Sequence, residues 1–153
     1  MRLGSFSFRR VFGSLTDDPV SNGLTVVSCP FCEGLEARIA FEGELVLGLW
    51  DKFPVSPGHI LIVPRRHVAS WFESTAAEQG AITRAIETAR EIIEEEHSPD
   101  GYNIGMNLGA AAGQTVFHLH LHIIPRYKGD SDDPRGGIRL LMPDKAAYWR
   151  DGD

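Results

Sequence analysis

The sequence predicts an α+β fold, an antiparallel sheet of about five strands with one long helix packed on it. Two stretches carry that expectation. The run "FHLHLHIIPR" alternates histidine with apolar residues at the period of a strand. The stretch from Thr75 onward opens with a T-x-x-E capping box and then repeats apolar residues every three or four positions, the period of a helix. The other apolar runs are short and bounded by turn formers, as strands are.

In chain order, residues 1–28 carry Gly, Ser, Asp17-Asp18-Pro19 and Ser21-Asn22-Gly23, all loop signals. Their first part holds three arginines and no acid but lacks the continuous apolar run of a secretory signal. They read as a flexible N-terminal extension, with the domain proper spanning residues 29–153. "ARIAFEGELVLGLWD" reads as two strands joined near Glu42-Gly43, and "HILIVP" (59–64) as a short buried strand closed by Pro64. Thr75 and Glu78 cap the helix; Ile82, Ala85, Ile86, Ala89, Ile92 and Ile93 form its apolar face, and "EEEH" its solvated end. "SPDG" stops it. "YNIGMN" is another strand, "LGAAAGQ" a small-residue loop, and "FHLHLHIIPR" the strand that follows, ended by Pro125. A polar loop, a strand-like "IRLL" and an aromatic tail complete the chain.

At 153 residues, 42% hydrophobic and 24% charged, the chain reads as one globular domain. A net charge of −6 argues against a nucleic-acid polymer as partner but leaves room for a small phosphorylated ligand at a locally positive site. No apolar run approaches the ~18 residues of a membrane span. Two cysteines are too few for a secreted disulfide framework, so a cytoplasmic location is expected.

On a strand, His118, His120 and His122 share one face while Leu119, Leu121 and Ile123 enter a core. On a helix the imidazoles would splay about 200° apart. Neighbouring rings on the strand would lie about 7 Å apart. A neutral imidazole can attack phosphorus and split one displacement into two, with its neighbours donating to the phosphoryl oxygens. Histidines two apart also suit a catalytic zinc ion with an open position, and the spacing alone leaves both readings open. Gly113-Gln114-Thr115-Val116, just before the strand, offers neutral donors for a phosphate. Cys29-x-x-Cys32 alone could be a redox pair, half a metal site or two reduced thiols.

"GQTVFHLHLHIIPR" resembles the histidine triad family, whose signature is His-φ-His-φ-His-φ-φ with φ apolar; His118 to Ile124 fit every position. "LGLWDKFPVSPGHILIVPRRHV" is similar to the family's stretch from its ribose-binding acid to its fourth histidine. The likeness covers residues 29–130. It implies that a nucleotide is bound and that a nucleoside monophosphate unit is transferred or hydrolysed. By position, His120 matches the nucleophile and His122 a flank that contacts phosphate. His59 matches a supporting histidine of the protonation network, and Asp51 the acid that binds the ribose hydroxyls. Asn107 matches a polar residue near the phosphate and leaving group, and Gln114 and Thr115 match the phosphate loop. Some bacterial members place structural zinc on positions matching Cys29, Cys32, His67 and His118, which would make His118 a ligand rather than a catalytic donor. "GQTV…HIIPRYKGD" resembles the dinucleoside polyphosphate hydrolase branch more than the phosphoramidase branch, where Gly-Gly-Arg often follows the triad strand. The resemblance further implies a homodimer, in which Trp149 or Tyr148 could reach the partner's site. A nucleotidyl transferase or a non-enzymatic nucleotide-binding protein of the same fold are the competing functions.

Overall fold

The computed structural model describes residues 29–147. The expected extension over residues 1–28, and Tyr148 and Trp149, lie outside the described residues. Five strands, β1 (Ile39–Glu42), β2 (Val46–Trp50), β3 (Ile60–Pro64), β4 (Gly101–Gly105) and β5 (Leu121–Arg126), form one antiparallel sheet in the order β1-β2-β3-β5-β4. One long helix, α1 (Ala76–Glu96), packs on it, and a short α2 (Pro143–Ala146) follows. This is the α+β architecture that the two sequence periods predict. No helix among the described residues is long and apolar enough to cross a membrane.

The sheet is covered on both faces near β2 and β3, which explains why "ILIVP" is apolar throughout and buried at every position. On one face Ile60, Ile62, Leu119, Leu121 and Ile123 meet Ile82, Ala85, Ala89 and Ile93 of α1. Burying each large side chain here stabilises the fold by about 1.5–3 kcal/mol. On the other face Leu47, Leu49, Leu61 and Val63 are covered by Phe31 and Leu35 from the segment ahead of β1. Gly48 permits this part of the sheet: a Cβ there would lie 2.0 Å from the Phe41 ring, which crosses it from β1.

The capping box forms as expected. Glu78 N–H donates to Thr75 Oγ1 at 3.2 Å, and Thr75 N–H to Glu78 Oε2 at 2.7 Å. The same carboxylate takes two hydrogen bonds from Arg66, each 2.8 Å, and these contacts hold it at a pKa of about 2.

Three local expectations give way. β5 begins at Leu121, because ahead of it Leu119 N–H bonds Val68 O rather than a β3 carbonyl; the alternation of faces nonetheless persists. Pro125 does not end the strand. It pairs with Tyr102 beyond the reach of the β3 register, where its missing N–H interrupts no ladder bond, and its carbonyl accepts from Ser56 Oγ at 2.7 Å. "IRLL" is not extended but part of a 3₁₀ helix, Gly137–Leu141. Gly136 and Gly137, at φ 86° and 45°, turn the chain, and Arg139 N–H closes on Gly136 O at 2.8 Å.

Candidate functional site

Strand register builds the site on the face opposite α1. Trp50 pairs with Ile60, so the next residues outward, Asp51 and His59, face each other, and Asp51 N–H bonds His59 O at 3.0 Å. Leu61 pairs with His122, which puts His59 diagonal to His122. The outcome is a chain of contacts: Asp51 Oδ2 lies 3.2 Å from His59 Nδ1, and His59 Nε2 lies 3.0 Å from His122 Nδ1. A carboxylate only accepts, so it draws a proton onto His59 Nδ1; Nε2 then accepts from His122 Nδ1–H. The Val55 N–H, 3.4 Å from the same His59 nitrogen, is the longer and weaker contact. Asp51 Oδ1 accepts from Phe53 N–H at 3.0 Å.

His120 stands between His122, 5.0 Å away by ring centroids, and Phe31, 5.1 Å away. Its Nδ1–H donates to the His118 carbonyl at 2.8 Å, which leaves Nε2 with the lone pair. His118 uses its other nitrogen: Nε2–H donates to Pro64 O at 2.8 Å, so the Nδ1 lone pair faces Cys29 Sγ and Cys32 Sγ, each 3.5 Å off. His67 Nδ1 lies 3.3 Å from Cys32 Sγ. The four donor atoms all fall within 4.8 Å of one another. A tetrahedron with Zn–S near 2.3 Å and Zn–N near 2.0 Å has edges of about 3.5 Å, so the cysteine and histidine spacing suits a metal ion. Asp51, His59 and His122 also bring donors within 4.8 Å. There Asp51 and His122 contact opposite nitrogens of His59, the layout of a relay rather than of a common ligand focus.

Burial sets the ionisation of these rings. It lowers the pKa of His59 despite the opposing Asp51 charge, and it lowers that of His118. His122 falls to about 4, first by burial and then by repulsion from His120 and His59. At neutral pH His59, His118 and His122 are therefore uncharged.

The site face continues as an open cleft of about 630 Å³. His122, Ile124, Asn103 and Gly105 floor it. Asp51, Phe53 and Val55 wall one side, and Gly137, Ile138, Leu140 and Leu141 the other; Ile104, Met106 and Asn107 also line it. The structure thus brings Asp51, His59, His122 and Asn107 to one cleft with His120 beside it, and gathers Cys29, Cys32, His67 and His118 into a second cluster. Gln114 is placed differently from expectation. Its amide is committed to the backbone, donating to Ala69 O at 2.8 Å and Val116 O at 3.2 Å and accepting from Gly109 N–H at 2.7 Å. It braces the loop before the triad, and neither it nor the exposed Thr115 lines the cleft. Sequence reasoning missed Phe31, although "CPFC" put an aromatic between the two thiols. It also missed Asn103 and the apolar wall at Ile138–Leu141.

Known proteins share this fold. A family model of the HIT domain matches residues 34–129. The AP-4-A phosphorylase of Mycobacterium tuberculosis is 34% identical over 98 residues, 63% of this chain and 50% of that protein, so the chain spans half the length of that relative. Among solved structures, a Zn-bound histidine triad family protein from Mycobacterium smegmatis is 33% identical with a TM-score of 0.59, covering 82% of this chain and 98% of that one. A HIT family protein from Bacillus anthracis is 29% identical with a TM-score of 0.63, covering 84% and 100%. With the triad on one sheet face, the fold shared and most of the chain matched, the protein belongs to the HIT domain family.

Proposed function

We propose that this chain is a nucleotidyl hydrolase that cleaves at the α-phosphorus of a dinucleoside polyphosphate and releases a nucleoside monophosphate. The observation that carries the reading is the 2.8 Å bond from His120 Nδ1–H to the His118 carbonyl, because it leaves Nε2 unprotonated. That nitrogen attacks phosphorus, an N–P bond forms, and the remaining phosphate chain departs with its electron pair. Water then attacks the same phosphorus, the N–P bond breaks, and the lone pair returns to Nε2. His122 lies beside the phosphate; its Nε2, unprotonated while Nδ1–H is turned to His59, takes the proton that the attacking water loses, and His59 and Asp51 form the rest of the relay. Asp51 additionally accepts from the ribose hydroxyls, Asn107 lies near the leaving group, and the loop at Gln114 and Thr115 offers backbone donors. The similarity to an AP-4-A phosphorylase supports the substrate class.

Zinc bound by Cys29, Cys32, His67 and His118 is part of this reading, supported by the donor spacing and by the Zn-bound relative. The ion would tie the N-terminal segment to the triad. A homodimer is also proposed: among the described residues β4 pairs only with β5, so its outer edge has no strand partner there, and Ile104 on β4 is exposed.

The test is AMP release from diadenosine tetraphosphate and from an adenosine phosphoramidate. We expect turnover of the first and a loss of about 10³-fold or more in His120→Ala, with nucleotide binding kept. Full activity in that variant removes the mechanism. Turnover of the phosphoramidate alone makes the protein a phosphoramidase, and binding without turnover makes it a nucleotide-binding protein.

A further inference from the structure

Resting on the relay just proposed, we propose that Ser56 and Tyr127 are positioning residues, whose hydroxyls strap the loop bearing His59 onto β5 and hold His59 within reach of His122. The need for a strap follows from the register. β3 and β5 stay paired up to Ile60 and Ile123, and there the ladder stops. Pro125, two residues on, has no N–H with which to extend it. The relay crosses from one strand to the other at this end, with His59 Nε2 3.0 Å from His122 Nδ1. In the loop that joins Asp51 to His59, Lys52, Phe53, Pro54 and Val55 are all exposed.

Side chains supply what the ladder cannot. Ser56 Oγ–H donates to the Pro125 carbonyl at 2.7 Å, and Tyr127 Oη–H to the Pro57 carbonyl at 2.9 Å. The Ser56 carbonyl accepts from His59 N–H at 3.3 Å, so the strapped residue is tied to the histidine itself. Gly58 lets the loop lie this close. Its φ is 80°, and a Cβ there would stand 2.8 Å from the His97 ring and 3.3 Å from Pro125. Ser56 and Tyr127 are both half-buried, and neither lines the cleft, so they act through His59 rather than on substrate. The relay has little slack, because a hydrogen bond is lost once its heavy atoms stand about 3.6 Å apart. His59 Nε2 is the acceptor that keeps the hydrogen of His122 on Nδ1. With His59 drawn away, that hydrogen can settle on Nε2, and His122 then has no lone pair to offer the attacking water.

Two readouts on the full chain test the strap. The first is steady-state release of AMP from diadenosine tetraphosphate. Ser56→Ala should lower kcat about tenfold and leave KM unchanged, because a proton path is misaligned while binding is not. Ser56→Thr keeps the hydroxyl and should restore kcat. The second is the nitrogen NMR spectrum of the imidazoles, which shows which ring nitrogen carries hydrogen and does not depend on turnover. His122 should carry it on Nδ1 in the wild type and in Ser56→Thr, and on either nitrogen in Ser56→Ala. A merely structural role would lower the melting temperature and leave that tautomer as it was. If Ser56→Ala does not fold, Tyr127→Phe takes its place with the same expected change. An unchanged His122 spectrum in both variants overturns the assignment, and so does a loss of kcat that Ser56→Thr fails to restore. If the wild type releases no AMP, the proposed hydrolysis falls, and the spectra alone decide for or against the strap.

Discussion

At the sulfur end of the triad segment, His118 directs its Nε2–H to the Pro64 carbonyl and turns Nδ1 toward two thiols. At the carboxylate end, His122 turns Nδ1 toward His59, whose far nitrogen meets Asp51. His118 and His122 are both buried deeply enough to be uncharged at neutral pH. They differ in what Nδ1 faces, in one a pair of thiols and in the other a histidine backed by a carboxylate. Backbone carbonyls make part of that choice. A carbonyl can only accept, so whichever nitrogen reaches it carries the hydrogen and the other keeps its lone pair. In His120 the choice is the reverse of that in His118, with Nδ1 at the carbonyl and Nε2 free.

The contrast can be broken most forcefully at the sulfur end. Cys29→Ser should lower stability by about 3–5 kcal/mol, the upper range for a single substitution, and bring zinc content toward zero. Thermal unfolding together with metal analysis of protein purified without chelator reads both; unchanged unfolding with zinc retained would erase the difference between the ends. A smaller effect belongs to the carboxylate end. Asp51→Asn should cut kcat/KM about 10- to 100-fold, the worth of a hydrogen bond to a charged group. Zinc content and melting temperature should stay unchanged. A variant that lost metal as well would show that the two clusters act as one.

The smallest effect concerns Glu78, which touches neither end but holds Arg66, the residue before His67. Glu78→Gln should lower stability by about 1–2 kcal/mol through the helix cap. The carboxyl of Glu78 sits near 2 in the folded chain against an ordinary 4.5. Its stabilisation is therefore complete above 4.5 and declines as pH falls from there through about 2. Denaturant titrations from pH 6 down to 2 should show a shallower decline in the variant, and parallel curves would refute the linkage.

Much of this was legible locally. Alternation in "HLHLHI" identifies the site face without any tertiary knowledge, and Thr75 with Glu78 marks the helix start to the residue. What escaped depends on contacts far apart in sequence. Arg126 and Asn103 are separated by 23 positions and meet only because β4 and β5 pair. Gln114 reads as a phosphate donor until Ala69, 45 positions away, takes its amide. "IRLL" has strand composition, yet two glycines at positive φ curl it against the cleft. Placements that rest on local pattern hold better than placements that rest on which partner arrives.

The family match starts at Gly34, whereas Cys29, Phe31 and Cys32 precede it. Phe31 covers Leu47, Leu49, Leu61 and Val63 together with Leu35. A fragment cut at the family boundary would keep every triad histidine and still be a poor material. It would expose greasy sheet surface to its neighbours in solution, lack both sulfurs and tend to clump. For anyone trimming this protein, the working edge lies ahead of Cys29.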